Sequence, residues 1–110
     1  MEKFVKGDVV VIPFPYFDLT NAKRRPALVL TNSSNNDLIL CQITSQKVYD
    51  SLAVGLSADD FSEGTIFKES NIRPNKIFTA DSKIILYKIG SLKVQKFSEI
   101  INTVIKIFKG

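Results

Sequence analysis

The groups of this chain best suited to handling phosphate are a run of cations and a cluster of small polar side chains. Lys23, Arg24 and Arg25 stand consecutively, and Pro26 follows at once. A planar, permanently charged guanidinium can bind two oxygens of one phosphate. A proline biases the residue before it towards extended backbone, so the Arg25 side chain has a defined starting direction. Thr44, Ser45 and Gln46 follow the apolar run Leu38 to Ile43, and a threonine hydroxyl can both donate and accept. Taken singly, each group has an ordinary structural explanation. An Arg before a Pro is commonly a solvated loop residue, a Thr at a strand end a β-former, and a Gln beyond it a polar turn residue.

Composition narrows the chemistry further. The chain has 110 residues and a net charge of +4, with a pI near 9.3. Excess base on a small domain suits a phosphate-binding protein, although many small proteins carry it without such a role. There is no His, which removes His-based acid/base catalysis and the usual zinc sites. The single Cys, Cys41, cannot form an internal disulfide and suits a reducing compartment. It lies within an apolar run, where a buried, inert thiol is expected. The opening MEKFVKGDVVVIPFP lacks the apolar core and cleavage site of a signal peptide. No apolar run approaches the roughly 18 residues of a membrane span. A soluble, cytoplasmic protein of one domain, residues 1–110, is expected. A domain of this size is only marginally stable alone, so dimerisation would help it.

The elements that would position these groups are mostly strands. Asp8 to Phe14 is rich in Val and Ile and ends among Pro13 and Pro15, which predicts a strand with one end at a sheet edge. Tyr16 to Arg25 reads as a polar loop, after which Pro26 opens a strand over Ala27 to Thr31. The polar segment Asn32 to Asn36 predicts a tight turn into a third strand, Asp37 to Thr44. Leu52 to Leu56 reads as a short strand, and Ser57-Ala58-Asp59-Asp60 as the cap and first turn of a short helix. Ile72 to Thr79 alternates around Pro74, Lys83 to Ile89 does so less cleanly, and Gly90-Ser91 changes the period. Val94, Phe97, Ile100, Ile101, Val104, Ile105 and Phe108 then recur at helical spacing, which predicts a terminal amphipathic helix over the core. The expectation is a barrel-like sheet of five to six strands with one long and one short helix.

In order and spacing, GDVVVIPFP, KRRPALVL and QITSQ resemble the MazF/PemK family of toxin endoribonucleases. RPNKIFTADSKII, KIGSL and the apolar helix after them resemble that family's C-terminal end, so the likeness spans nearly the whole chain. The resemblance implies a mostly β fold with some α, an SH3-like small barrel of the CcdB/MazF/PemK type with a C-terminal amphipathic helix. It implies a homodimer that cleaves single-stranded RNA without a metal or other cofactor, leaving a cyclic phosphate and a free 5′-hydroxyl. It also implies an acidic cognate antitoxin as partner, and no membrane. Arg25 and Thr44 fall on the family's catalytic Arg and Thr. Ser45 and Gln46 fall in its RNA-contacting strand end, and Phe14 where an aromatic borders the groove; on composition alone Phe14 reads as core packing. Lys23 and Arg24 would meet phosphates beside Arg25.

The implied chemistry is physically coherent. Attack by the RNA's own 2′-hydroxyl concentrates negative charge on a five-coordinate phosphorus. The Arg25 guanidinium can hold two of its oxygens, while Thr44 donates to the same phosphate or holds the 2′-hydroxyl in line. One departure concerns the base. Some relatives carry an acid about five positions before the catalytic Arg, where this chain has Leu19-Thr20-Asn21; Asp18 is the only carboxylate of the loop. The general base is therefore unassigned, and Arg, with a pKa above about 12, is a poor candidate. Two other readings share the barrel: a CcdB-like toxin that binds DNA gyrase, and an interaction barrel without catalysis. The first relies on a C-terminal Trp, and this chain has no Trp.

Overall fold

The β-branched and aromatic runs of the chain assemble into one antiparallel sheet. The computed structural model describes residues 4–14, 23–33, 35–48 and 50–110. Among them are seven strands: β1 (Asp8–Phe14), β2 (Lys23–Asn32), β3 (Asp37–Thr44), β4 (Val54–Leu56), β5 (Phe61–Gly64), β6 (Ser70–Asp81) and β7 (Tyr87–Leu92). They lie in the order β4-β6-β3-β2-β1-β7-β5. The two end strands do not pair with each other, so the sheet is a half-barrel. Short 3₁₀ turns at Ala58–Asp60 and Ser82–Ile84 and one long helix, α1 (Val94–Lys109), complete it.

The sheet buries both faces, which is why its central strands are apolar without interruption rather than alternating. Val9, Leu28, Leu30, Cys41, Ile43 and Ile72 point into one core, and Ile100 of α1 packs fully buried against them. Val10, Ile12, Ala27, Val29, Leu38 and Leu40 point into a second core on the opposite face, together with Phe4. Neighbouring residues of one strand thus serve different cores. Cys41 lies wholly buried in the first core, where desolvation pushes its thiol up to about 12. Folded protein should stay unlabelled by a thiol reagent near pH 8 and react only as it unfolds. Above about pH 9 the unfolded chain releases this proton and the folded one keeps it, so stability should fall as pH rises towards 12. Prompt native-state labelling would contradict the burial.

Several sequence expectations hold closely. The strands expected over Asp8 to Phe14 and Asp37 to Thr44 have those bounds. β1 is internal, but β7 stops opposite Val11, which leaves Pro13 with one open flank. The short helical turn forms at Ala58–Asp60, where the Ser57 backbone N–H donates to the Asp60 carboxylate at 2.9 Å.

Other expectations need correction. Lys23, Arg24 and Arg25 are not loop residues but the first residues of β2, paired with Phe14, Pro13 and Ile12 of β1. Pro26 does not open that strand. It stands where β1 flanks it but pairing with β3 has not begun, a half-open position that tolerates a missing N–H. The strand expected over Lys83 to Ile89 is displaced to Tyr87–Leu92, after the turn at Ser82–Ile84. Gly90 does not end it: Gly90 pairs with Gly64 of β5, and a Cβ on either would collide with the facing backbone. β5 itself went unforeseen, because only Phe61 of its four residues is buried. The helix is present, yet only Phe97, Ile100, Ile101 and Val104 cover the core, while Val94, Ile105 and Phe108 remain exposed.

Candidate active site

Arg25 and Thr44 are brought together by the register of β2 and β3. Ala27 faces Gln42, Leu28 faces Cys41 and Val29 faces Leu40; continued by two places, that register sets Arg25 opposite Thr44. Both belong to the parity of Ala27, Val29 and Leu40, so they share the face away from α1. The two strands end there, and their ends enclose a depression of about 210 Å³ lined by Arg24, Arg25, Pro26, Thr44, Ser45 and Gln46 over Ile43. Arg24 is exposed and Arg25 half-buried. Five of the expected site residues therefore meet in one place. The backbones of Lys23 and Phe14 pair at the end of the β1–β2 ladder. The loop segment Leu19-Thr20-Asn21 and Asp18 lie outside the described residues.

The hydroxyl of Thr44 is held in place by its own chain. The backbone N–H of Gln46 donates to Thr44 Oγ1 at 3.1 Å, a turn that carries Ser45 and Gln46 off the strand. That bond uses one lone pair and leaves the hydroxyl proton free to donate outward. Thr44 is only 8% exposed, whereas Ser45 and Gln46 are open to solvent. Arg25 supplies a forked cation and Thr44 a hydroxyl donor to the same depression. Among the described residues no carboxylate lines the depression.

Two residues of β6 extend the face, and the sequence pattern had not singled them out. Asn71 pairs with Thr44 and Arg73 with Gln42, while Ile72 between them enters the first core. Asn71 and Arg73 thus share the face of Thr44. Just beyond Arg73 the β3–β6 register shifts, so that Pro74, Asn75 and Lys76 have no partners on β3. The proline within an otherwise alternating run was the available signal for that bulge. Asn75 there donates from Nδ2 to Asp50 Oδ2 at 2.8 Å, and Leu52 N–H donates to Asp50 Oδ1 at 2.9 Å. The Leu52 N–H foremost, with Asn75 and Arg73 adding to it, holds the Asp50 carboxyl below its usual range against some desolvation.

The solved MazF of Deinococcus radiodurans superposes with a TM-score of 0.78 at 17% identity, covering 100% of both chains. The MazE–MazF crystal structure from the same organism gives 0.75 at 16% identity, covering 98% of this chain and 97% of that one. A mycobacterial endoribonuclease solved with its cognate antitoxin gives 0.76 at 13% identity, covering 97% and 96%. At these identities the likeness establishes the fold: the half-barrel with its C-terminal helix is the MazF-type one. No curated protein matches the sequence. The family described as PemK-like, MazF-like toxin of type II toxin-antitoxin system matches residues 5–108. With nearly the whole chain accounted for by that match, and its fold shared with solved MazF proteins, the protein belongs to the PemK-like, MazF-like toxins of type II toxin-antitoxin systems.

Proposed function

We propose that this toxin is an endoribonuclease that cuts single-stranded RNA through the RNA's own 2′-hydroxyl. The observation that carries the reading is the placement of Arg25 and Thr44 across one polar depression on adjacent strand ends. In the reaction the 2′-oxygen forms a bond to phosphorus and loses its proton, and the bond to the 5′-oxygen breaks. The 5′-oxygen takes up a proton, leaving a 2′,3′-cyclic phosphate and a 5′-hydroxyl. Arg25 binds the two non-bridging oxygens as their charge grows, and Thr44 donates to one of them or aligns the 2′-oxygen. Arg25 serves as charge stabiliser rather than base. Among the described residues no carboxylate lines the depression to accept the 2′-proton.

The same reading sets the partners. Arg24 and Lys23, continuing the cationic strand, give the RNA backbone further contacts, and Ser45, Gln46 and Phe14 border the path of the bases. The chain works in the cytoplasm, where messenger RNA is found, as a homodimer of one toxin domain per subunit. An acidic antitoxin occludes Arg25, as opposite charge and the net +4 of each subunit favour. Membership of the PemK-like, MazF-like family disfavours the gyrase-directed alternative.

The test is incubation of purified protein with a long single-stranded RNA in EDTA. Fragments ending in cyclic phosphate are the expected result. RNA left intact at high enzyme concentration would refute the proposal and favour a barrel that only binds.

A further inference from the structure

We propose that Arg73 is a second phosphate-binding guanidinium of the RNA path, held by Asp50 until the RNA displaces that carboxylate. The inference rests on the RNA-cleaving reading and extends its site from β2 and β3 onto β6.

Three observations support it. The first is position. Arg73 lies on β6 opposite Gln42, with the parity of Thr44 and Arg25, so it stands on the same face two strands away from Arg25. Two inter-strand spacings and a two-residue offset separate the Cα atoms of Arg25 and Arg73 by roughly 12 Å. One extended RNA strand can therefore meet both cations at different phosphates.

The second is unspent donor capacity. A guanidinium offers five N–H donors. Among the described residues Arg73 makes a single contact, from Nη2 to Asp50 Oδ2 at 3.5 Å, and its buried Nε has no partner. Its side chain is still 24% exposed, so the outer nitrogens remain reachable from solvent. A forked cation paired at such a distance and through one nitrogen is far from its best geometry.

The third is the state of the carboxylate. Asp50 already accepts short bonds from Leu52 N–H at 2.9 Å and Asn75 Nδ2 at 2.8 Å. Losing Arg73 would cost Asp50 little. A phosphate offering two oxygens to the fork would give Arg73 more than the single long contact it surrenders. Asp50 thus acts as a stand-in anion, holding the guanidinium near the face of Thr44 before RNA arrives. It also links the segment after Thr44 to the bulge of β6, so RNA binding would release one side of that link.

A purely structural strut makes different predictions, and binding of a 2′-O-methyl RNA that cannot be cleaved separates the two. Arg73→Ala should weaken binding about tenfold, the scale of one hydrogen-bonded charge contact. It should also lower the slope of log affinity against log salt by about 0.7, the share of one single-strand phosphate. Arg73→Lys should weaken binding less and leave the slope near that of the wild type. On cleavable RNA, both should raise KM more than they lower kcat. Asp50→Asn keeps the acceptor for Leu52 and removes the competing charge, so it should tighten RNA binding by roughly two- to fourfold, the scale of an exposed ion pair. A strut predicts the opposite sign, with Asp50→Asn and Arg73→Ala weakening binding together. Either that result or an unchanged affinity and slope in Arg73→Ala would overturn the assignment while RNA binding by the wild type stands. Wild-type protein that binds no RNA would instead remove the RNA-cleaving reading, and this inference with it.

Discussion

Arg25→Ala should lower the rate of RNA cleavage at least about a hundredfold, the cost of removing one donor preorganised for transition-state charge. The structure makes that loss hard to compensate. Arg25 is the half-buried cation of the depression and stands across from Thr44, whereas Arg24 points to the other parity of β2 and is exposed. A neighbouring cation cannot take over the position without moving the strand. Arg25→Lys should recover little, because an ammonium has no fork to span two oxygens. Stability should hardly change in either variant, since Arg25 carries no ion pair among the described residues and lies two places beyond the β2–β3 ladder. Thermal melting would check that point beside single-turnover cleavage with saturating enzyme. Wild-type rates in Arg25→Ala would dissociate the depression from the chemistry.

Asp8→Ala should be the most destabilising of the polar substitutions considered, by about 3 kcal/mol, with a melting temperature lower by roughly 15 °C. Asp8 is 2% exposed, and each carboxylate oxygen has work to do. Oδ2 accepts from Val5 N–H at 2.9 Å, and Oδ1 from the Ser91 hydroxyl at 2.9 Å, with Lys88 Nζ at 3.6 Å. The carboxylate therefore ties the turn before β1 to β7, beside Gly7, whose positive φ of 91° lets the chain enter the strand. Alanine would leave a partly buried N–H and a hydroxyl unpaired, and a hydrogen bond to a charged group contributes about 1.5–3 kcal/mol. Lys88→Ala should cost well under 1 kcal/mol, because its side chain is 38% exposed and the pair is screened. Urea unfolding of the three proteins would measure the contrast, and equal effects of the two substitutions would contradict it. At a temperature where Asp8→Ala remains folded it should still cleave RNA. The Gly-Asp pair at the start of the recognisable sequence pattern ties the turn before β1 to β7.

Local pattern determined much of this protein. The apolar runs Val9 to Ile12 and Leu38 to Cys41 made β1 and β3 readable to the residue, since a strand segment buried on both faces needs apolar side chains at successive positions. Helical spacing from Val94 onward determined α1, because three- and four-residue recurrence has no use in a strand. The polar motifs at Arg25 and Thr44 were visible as types and order, and their meaning came from resemblance to a toxin family. Tertiary structure decided the rest. Lys23 to Arg25 read as loop because cations are poor strand formers in isolation, yet pairing with β1 draws them into β2. β5 has one buried residue and exists because β7 offers it an edge. The meeting of Arg25 and Thr44 in one depression, and of Asp50 with Arg73 and Asn75, joins positions 19 to 25 residues apart in the chain. Which side chains share a face there depends on strand register and on the bulge at Pro74. Register is set by long-range packing of both cores against one sheet, and no short window of sequence contains that information.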